Sequence, residues 1–597
     1  MIDNEVFRKN IACTPLTDST VVQAGPGSGK TTLLVERLKY IIKHNTNPLS
    51  NVACITYTNA AKDEIMLRLH GGEQKLSTEL FIGTIHSFLL DFVIKPYSHL
   101  IHKDNQTYKL APMGFARGHK REIGLMMNCP LHSINEGIFR AFESIGFDEQ
   151  GHPYCYANKI PPEVALEWKQ LIWRKGYIDQ QDVIYMSYLI LKNKQHICNA
   201  LSARFPYLLV DEYQDVTFYQ EKIFSLFKNS SFFCVGDTNQ SIYSFTGAKP
   251  EIFQEKWKNK EYKNYTLSNN FRSTAHIVKF SNYKTKITQI EAGLNASIDQ
   301  KVLLIKNITE AYDVIQLFQR IRLNIECEEH HKPYMILARQ NNYVNQLAHF
   351  LKKQEGNLNP FLKKLKKEHY RRFQILYNLL LAMSYKRRNE VNKAFEKMGE
   401  AFSYLVFNEH PNYVALSEIE YDAFMWKKLQ IFTLNFLNSF EFSETSVESM
   451  FQELKDFISN TSKVMYGKSI GNKLRMLHYN WKNQVKASKS TMLSELIEQI
   501  ELQVDFSENT ESVMSIHSAK GQEAECVLIM AESESQLMEW FEDNLNSEEA
   551  RVGYVAFSRA RKLLCLWAPT IHENNFAHLH QHVMCIDDTY AIQTEDA

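Results

Sequence analysis

Ten cysteines are spread through this chain without a single C-x-x-C pair. That absence argues against a zinc ribbon, an iron–sulfur cluster and a disulfide framework, and it fits a reducing cytosol. Excess charge of either sign is also missing, since 68 basic residues meet 68 acidic ones. A global basic footprint for nucleic acid is therefore absent, and any such binding must use a local groove. No apolar run approaches the ~18 residues of a membrane span, and the opening MIDNEVFRKN lacks a signal-peptide pattern. Internal repeats and long low-complexity segments are absent too. What is present is an ordinary globular composition, 44% hydrophobic and 23% charged over 597 residues. That length allows roughly four folding units of about 150 residues each. The expectation is a large, soluble, cytoplasmic protein with no membrane partner.

The most informative stretch is AGPGSGKT at 24–31. The β-rich run STVVQA precedes it, and TTLLVERLKYIIK follows with apolar residues at helical spacing. Strand, glycine-rich loop and helix in that order make a phosphate loop. Gly25, Gly27 and Gly29 permit a turn whose backbone N–H groups face phosphates, and the helix N-terminus adds partial positive charge. Lys30 can reach the β- and γ-phosphates, while the Thr31 hydroxyl can ligate Mg²⁺. Ala24, where the common pattern has glycine, sits at the strand end and does not touch phosphate.

Further strand-like runs end in polar clusters: NVACITYTNAAKDEI (51–65), YLLVDEYQD (207–215) and FFCVGDTNQSIYSFTGA (232–248). In the second of these, an apolar strand delivers Asp211 and Glu212 to its carboxyl end. Adjacent acids on a buried strand need a cation. Mg²⁺ between Thr31 and Asp211 supplies one, and Glu212 is then placed to polarise an attacking water. In the third, Gln240 can sense a γ-phosphate, whereas Tyr243 and Phe245 can face a nucleic-acid base or pack in the core. A second set of strand signals begins at KVLLIK (301–306) and PYMILARQ (333–340). It resumes with SVMSIHSAKGQEAECVLIM (512–530) and KLLCLWAP (562–569). Residues 90–200 and 346–505 read as mainly helical.

The ordered set AGPGSGKTT, ITYTNAAKDEI, FIGTIHSF, LLVDEYQDV, VGDTNQSIYSFTGA, LSNNFRST, MSIHSAKGQEAECVLI and EEARVGYVAFSRARK resembles the superfamily 1 DNA helicases of the UvrD/Rep/PcrA type. The likeness runs from about residue 20 to residue 569. It implies an α/β fold of two RecA-like parallel-sheet domains, each with a mainly helical insertion. The first would take residues 1–90 and 183–260 with insertion 91–182. The second would take 261–345 and 506–570 with insertion 346–505, leaving 571–597 as a short tail.

By motif position, the resemblance gives catalytic roles to Lys30, Glu212, Gln240, Arg272 and Arg559, the two arginines reaching the γ-phosphate from the second domain. ATP would be held by Gly25, Gly27, Ser28, Gly29, Lys30, Thr31 and Thr32, with Phe271 stacking on adenine and Glu523 on the ribose; Thr31 and Asp211 would hold Mg²⁺. Tyr57, Thr84, His86, Tyr243, Phe245, Ser515 and His517 fall at positions resembling the family's DNA contacts. The implied activity is a 3′–5′ translocase and helicase on single-stranded and partly duplex DNA, in repair, replication or anti-phage defence. The alternative is a nucleotide-gated DNA sensor that unwinds poorly and signals to a partner such as a separate nuclease.

The chain departs from the family at several points. Its first twenty residues contain no glutamine to read the adenine edge, Thr246 replaces a common arginine, Gln522 a frequent leucine and Ser558 a threonine. The stretch beyond KLLCLWAP is too short for a fused nuclease. The basic run LKKLKKEHYRRF (362–373) fits a solvated helix face or a duplex contact. His578, His580 and His582 alternate before Cys585, and a plain tail is the simpler expectation than a metal site.

Overall fold

The computed structural model describes residues 4–47, 49–70, 80–101, 107–112, 114–155, 159–282, 289–325, 332–352, 362, 370–387, 390–406, 496–497, 512–541, 547–572, 575–576, 582–587 and 589. It divides into two compact units. One comprises 1–111, 115–347 and 512–597, and the other 112–114 and 348–511.

The larger unit holds two six-stranded sheets, all of whose strands pair in parallel. The first sheet contains β1 (Ser19–Ala24), β2 (Val52–Thr56), β3 (Leu80–Thr84), β4 (Tyr207–Val210), β5 (Ser231–Gly236) and β6 (Tyr262–Leu267), in the order β6-β1-β5-β4-β2-β3. The second contains β7 (Val302–Ile305), β8 (Lys332–Ala338), β9 (Val513–Ser515), β10 (Ala524–Met530), β11 (Ala560–Trp567) and β12 (Val583–Ile586), in the order β9-β8-β10-β11-β7-β12. Central strands are buried along their whole length: VACIT in β2 and AECVLIM in β10 are buried at every position, Glu525 being paired there with Arg561 and Lys562. Parallel strands covered on both faces require this, because crossover helices occupy both sides. The sequence pattern did not mark β6, whose YKNYTL is polar and half exposed; it lies on the sheet edge, where only one neighbour supports it. The expectation of a plain tail after residue 570 is corrected at Val583–Ile586, which pairs with β7 as an edge strand.

Residues 91–111 and 115–182 belong to the larger unit and are not purely helical. Helices such as Pro162–Arg174 pack with an antiparallel ribbon, Ile145–Phe147 against Pro153–Cys155, around Phe142 and Trp168. In the smaller unit, helices Tyr370–Arg387 and Val391–Val406 bury Leu376, Leu379, Leu380 and Met383, together with Met398 and Ala401. Most of the basic run 362–373, and His578 and His580, lie outside the described residues. Among the described residues no helix is long and apolar enough to cross a membrane.

Candidate nucleotide and DNA site

In the first sheet the predicted site residues gather at the carboxyl ends of the strands, where open α/β sheets bind ligands. After β1 the chain turns through Gly27 and Gly29, at φ 67° and 85°. Such left-handed values are cheap for glycine alone. Ser28 Oγ donates to the Gly25 carbonyl at 2.7 Å and tightens the turn. The helix Lys30–His44 then starts with no acidic residue in its first turn, leaving its amide end and partial positive charge for an anion. The fit to a triphosphate is thus a glycine-lined cradle at a bare helix end.

Lys30 Nζ lies 3.8 Å from Glu212 Oε2, with both side chains largely buried. Glu212 follows β4 in a left-handed conformation, φ 48°, uncommon for a residue with a side chain. Its N–H donates to Asp211 Oδ1 at 2.9 Å, and Gln214 Nε2 donates to its Oε2 at 2.6 Å. Burial opposes the charge on Glu212, but Lys30, Lys520 and Gln214 outweigh it and hold the carboxyl well below its usual range. Asp211 goes the other way, pushed up first by burial and then by the charge of Glu212. A divalent cation beside Asp211 would relieve both effects, so the donor set of Asp211 and the Thr31 hydroxyl fits Mg²⁺.

Groups beyond the first sheet close over the loop. Asn270 Nδ2 and Gln289 Nε2 donate to the Pro26 carbonyl at 3.1 and 2.9 Å, and the Phe271 N–H donates to the Gly27 carbonyl at 2.8 Å. A Cβ on Gly27 would stand 2.7 Å from both Arg272 Cβ and Asn270 Oδ1. Gln240, buried after β5, donates through Nε2 to Asp237 Oδ2 at 2.7 Å and accepts from Arg559 Nη2 at 3.2 Å. Arg272 Nη1 donates to the Ser558 carbonyl at 2.9 Å, while its Nε pairs with Glu523 Oε2 at 2.5 Å. Arg561 holds the other Glu523 oxygen at 2.7 Å. Burial opposes ionisation of Glu523 as well, yet Arg272 and Arg561 bring its carboxyl down to about 2. Glu523 therefore clamps arginines in this conformation. Thr32 Oγ1 accepts from Arg68 Nη1 at 2.9 Å.

The candidate DNA contacts fall into two groups. Tyr57 follows β2 and stacks on Tyr243, with ring centroids 5.0 Å apart and planes 23° apart. Tyr243 donates its hydroxyl to the His517 carbonyl at 3.1 Å, and His517 Nε2 lies 3.1 Å from the Ile242 carbonyl. These three residues are brought together across the two sheets. Thr84, at the end of β3, is paired in register with Thr56 and caps the helix Ile85–Leu89 by accepting the Ser87 N–H at 3.2 Å. Burial pushes His86 down to about 4, and its Nε2 is buried with no hydrogen-bond partner. Ser515 Oγ accepts the Ser518 N–H at 3.2 Å. The Phe245 side chain lies outside the described residues.

Comparison with known proteins bears on the same stretches. The profile of the UvrD/REP helicase N-terminal domain matches residues 5–128 and 156–263, and that of the UvrD-like helicase C-terminal domain matches 397–569. The chain belongs to the UvrD/Rep family of superfamily 1 DNA helicases. A probable DNA helicase II homolog of Mycoplasma genitalium is 22% identical, over 96% of this chain and 85% of its own length. ATP-dependent DNA helicase Rep of Buchnera aphidicola subsp. Schizaphis graminum is 24% identical, over 94% and 92%. Rep of Escherichia coli is 27% identical, over 45% and 41%. Membership of the UvrD/Rep family makes the chain an ATP-dependent DNA helicase.

Several residues of this UvrD/Rep-type site escaped the reading of the sequence. Lys520 Nζ donates to the Gln240 carbonyl at 2.7 Å and pairs with buried Asp215, joining the two sheets. Arg551 Nε donates to the Ser241 carbonyl at 2.6 Å. Lys520 and Asp215 sit inside the polar motifs HSAKGQE and DEYQD, and their opposite charges were the available signal. Asn270 and Gln289 carried none, because a neutral amide in a loop looks like solvent-facing polarity.

Proposed function

We propose that this helicase translocates 3′ to 5′ along single-stranded DNA, using ATP and Mg²⁺ held at the carboxyl edge of the first sheet. The observation that carries the nucleotide part of the reading is Glu212, held in a left-handed backbone at the end of β4 with its carboxylate 3.8 Å from Lys30; the polarity rests on the family resemblance. A conformation that side chains disfavour, placed beside the phosphate loop, is the kind of strain that active sites retain. Lys30 and the loop amides would bind the β- and γ-phosphates. Thr31 and Asp211 would hold Mg²⁺, which when bound supplies neutralisation of phosphate charge. Glu212, kept ionised by Lys30 and Lys520, is suited to accept a proton from the attacking water. Arg272 and Arg559 would meet transition-state charge, a role that contributes on the order of 10³–10⁵-fold in rate elsewhere. For Arg272 this requires release from Glu523, so hydrolysis is tied to rearrangement across the cleft.

Phe271 is assigned to the adenine face and Glu523, once released, to the ribose. The stacked pair Tyr57 and Tyr243, with His517 beneath, would open to receive bases of the single strand, and Phe245, Thr84, His86 and Ser515 would extend that track. Stacking contributes about 1–3 kcal/mol per base without sequence preference, as a motor requires. Opening one duplex step costs about 1.4 kcal/mol on average, within reach of one ATP. The experiment is strand displacement on duplexes with 3′ or 5′ single-stranded tails. Unwinding of the 3′-tailed substrate supports the polarity, and unwinding of the 5′-tailed one alone refutes it.

A further inference from the structure

Three sides of the phosphate loop are accounted for. Lys30 and Glu212 mark the γ-phosphate end, while Gln289, Asn270 and Arg272 cover Gly25 and Gly27. The remaining flank runs from Gly29 to Thr32 and is bordered by two arginines. A Cβ on Gly29 would find Arg8 Nη1 at 3.6 Å, from the N-terminal helix Asn4–Ala12, and Thr32 Cβ at 3.9 Å. On the other side, Arg68 Nη1 donates to Thr32 Oγ1 at 2.9 Å.

Both guanidinium groups are held in place. Arg8 donates through Nε and Nη2 to the two carboxylate oxygens of Glu36, each at 3.1 Å. Its side chain is only 13% exposed, so the fork fixes the plane and leaves Nη1 as the corner nearest the loop. Arg68 is anchored to Glu64 at 2.6 Å. With the γ end taken by Lys30 and Glu212, a base stacked on Phe271, whose N–H donates to the Gly27 carbonyl, would turn an edge toward this flank.

The chemistry of the flank is one-sided. A guanidinium has donors and no acceptor. Purine N7 accepts in both adenine and guanine, but position six carries an amine donor in adenine and a carbonyl acceptor in guanine. A donor-only edge therefore complements the 6-oxo purine and faces the adenine amine with another donor. An amide side chain, offering both, would suit adenine.

We propose that Arg8, supported by Arg68, is a specificity-determining residue for the nucleobase, and that the chain hydrolyses 6-oxo purine nucleotides, GTP and ITP, alongside ATP. This rests on the phosphate-loop reading above. The test is steady-state hydrolysis of ATP, GTP and ITP by the full chain with single-stranded DNA, for wild type, Arg8→Gln and Arg68→Gln. Wild type should give kcat/KM for GTP and ITP within about tenfold of that for ATP. Arg8→Gln should lower the GTP-to-ATP ratio by about fivefold or more, the worth of one base-edge contact, and ITP should move with GTP. Arg68→Gln should shift the ratio the same way by less, and it decides the matter if Arg8→Gln does not fold. Equal losses on all three nucleotides, which a phosphate contact or a purely structural role would produce, overturn the proposal. So does a wild type that hydrolyses ATP alone. Hydrolysis of none of the three would refute the phosphate-loop reading itself.

Discussion

At the scale of the residue, the site is a set of charges that hold one another in place. Glu212 stays ionised because Lys30 and Lys520 face it, and Lys30 is positioned by the turn that Gly27 and Gly29 allow. Lys30→Ala and Glu212→Gln are each expected to reduce ATP hydrolysis by at least about a thousandfold, with single-strand binding retained. Normal turnover by either variant, in a coupled-enzyme assay, would contradict the assignment. Arg272→Ala should still bind ATP but hydrolyse it slowly, and an unchanged rate would remove its role at the γ-phosphate. His86 makes a pH prediction. Burial holds it neutral down to about 4, below the ordinary value of about 6.5. The unfolded chain therefore binds more protons between those two values, and stability falls as pH drops through that window. His86→Gln should flatten that fall, by on the order of 1–3 kcal/mol, in denaturant melts at pH 7 and pH 5. Equal pH dependence in both proteins would show that His86 is not buried neutral. Lys30, Asp211, Glu212 and Gln240 were legible in the sequence because each follows an apolar strand within a spaced motif. Lys520 and Asp215 were not, because their pairing is a contact over 305 positions that only the fold brings about.

At the scale of the element, burial on both faces separated what could be read from what could not. Apolar runs gave away β2, β4, β5 and most of β10, whereas the edge strand β6 carries the mixed sequence YKNYTL. The insertion 91–182 read as helical from its spacing, and its antiparallel ribbon was hidden by being three residues long on each side. That region also buries a charged knot. Lys169, fully buried, pairs with Asp179 at 2.5 Å and Asp182 at 3.0 Å, and the two acids form the capping box of helix Gln180–Asn193. Removing one partner of a buried ion pair strands the other, at a cost of about 3–5 kcal/mol. Lys169→Ala should lower stability by that order in thermal melts, while Lys192→Ala, on the same helix as Asp182 but exposed, should change it little. Similar melting of both variants would mean that the knot is solvated.

At the scale of the whole molecule, the two sheets of the larger unit meet through contacts that a motor can make and break. Lys520 joins Asp215 and Gln240, Arg559 joins Gln240, and Tyr243 joins His517. The same loops carry the candidate DNA residues, so on the proposed reading DNA and nucleotide would act on one set of contacts. Lys520→Ala is expected to keep ATP binding but to lose most of the response of hydrolysis to DNA, and an undiminished response would take Lys520 out of the coupling.

The most direct test of that coupling is the rate of ATP hydrolysis by the full chain with and without single-stranded DNA, using Glu212→Gln as the control. The arrangement predicts at least about tenfold stimulation of wild type by DNA and no hydrolysis by the variant under either condition. A wild-type rate indifferent to DNA would contradict the account.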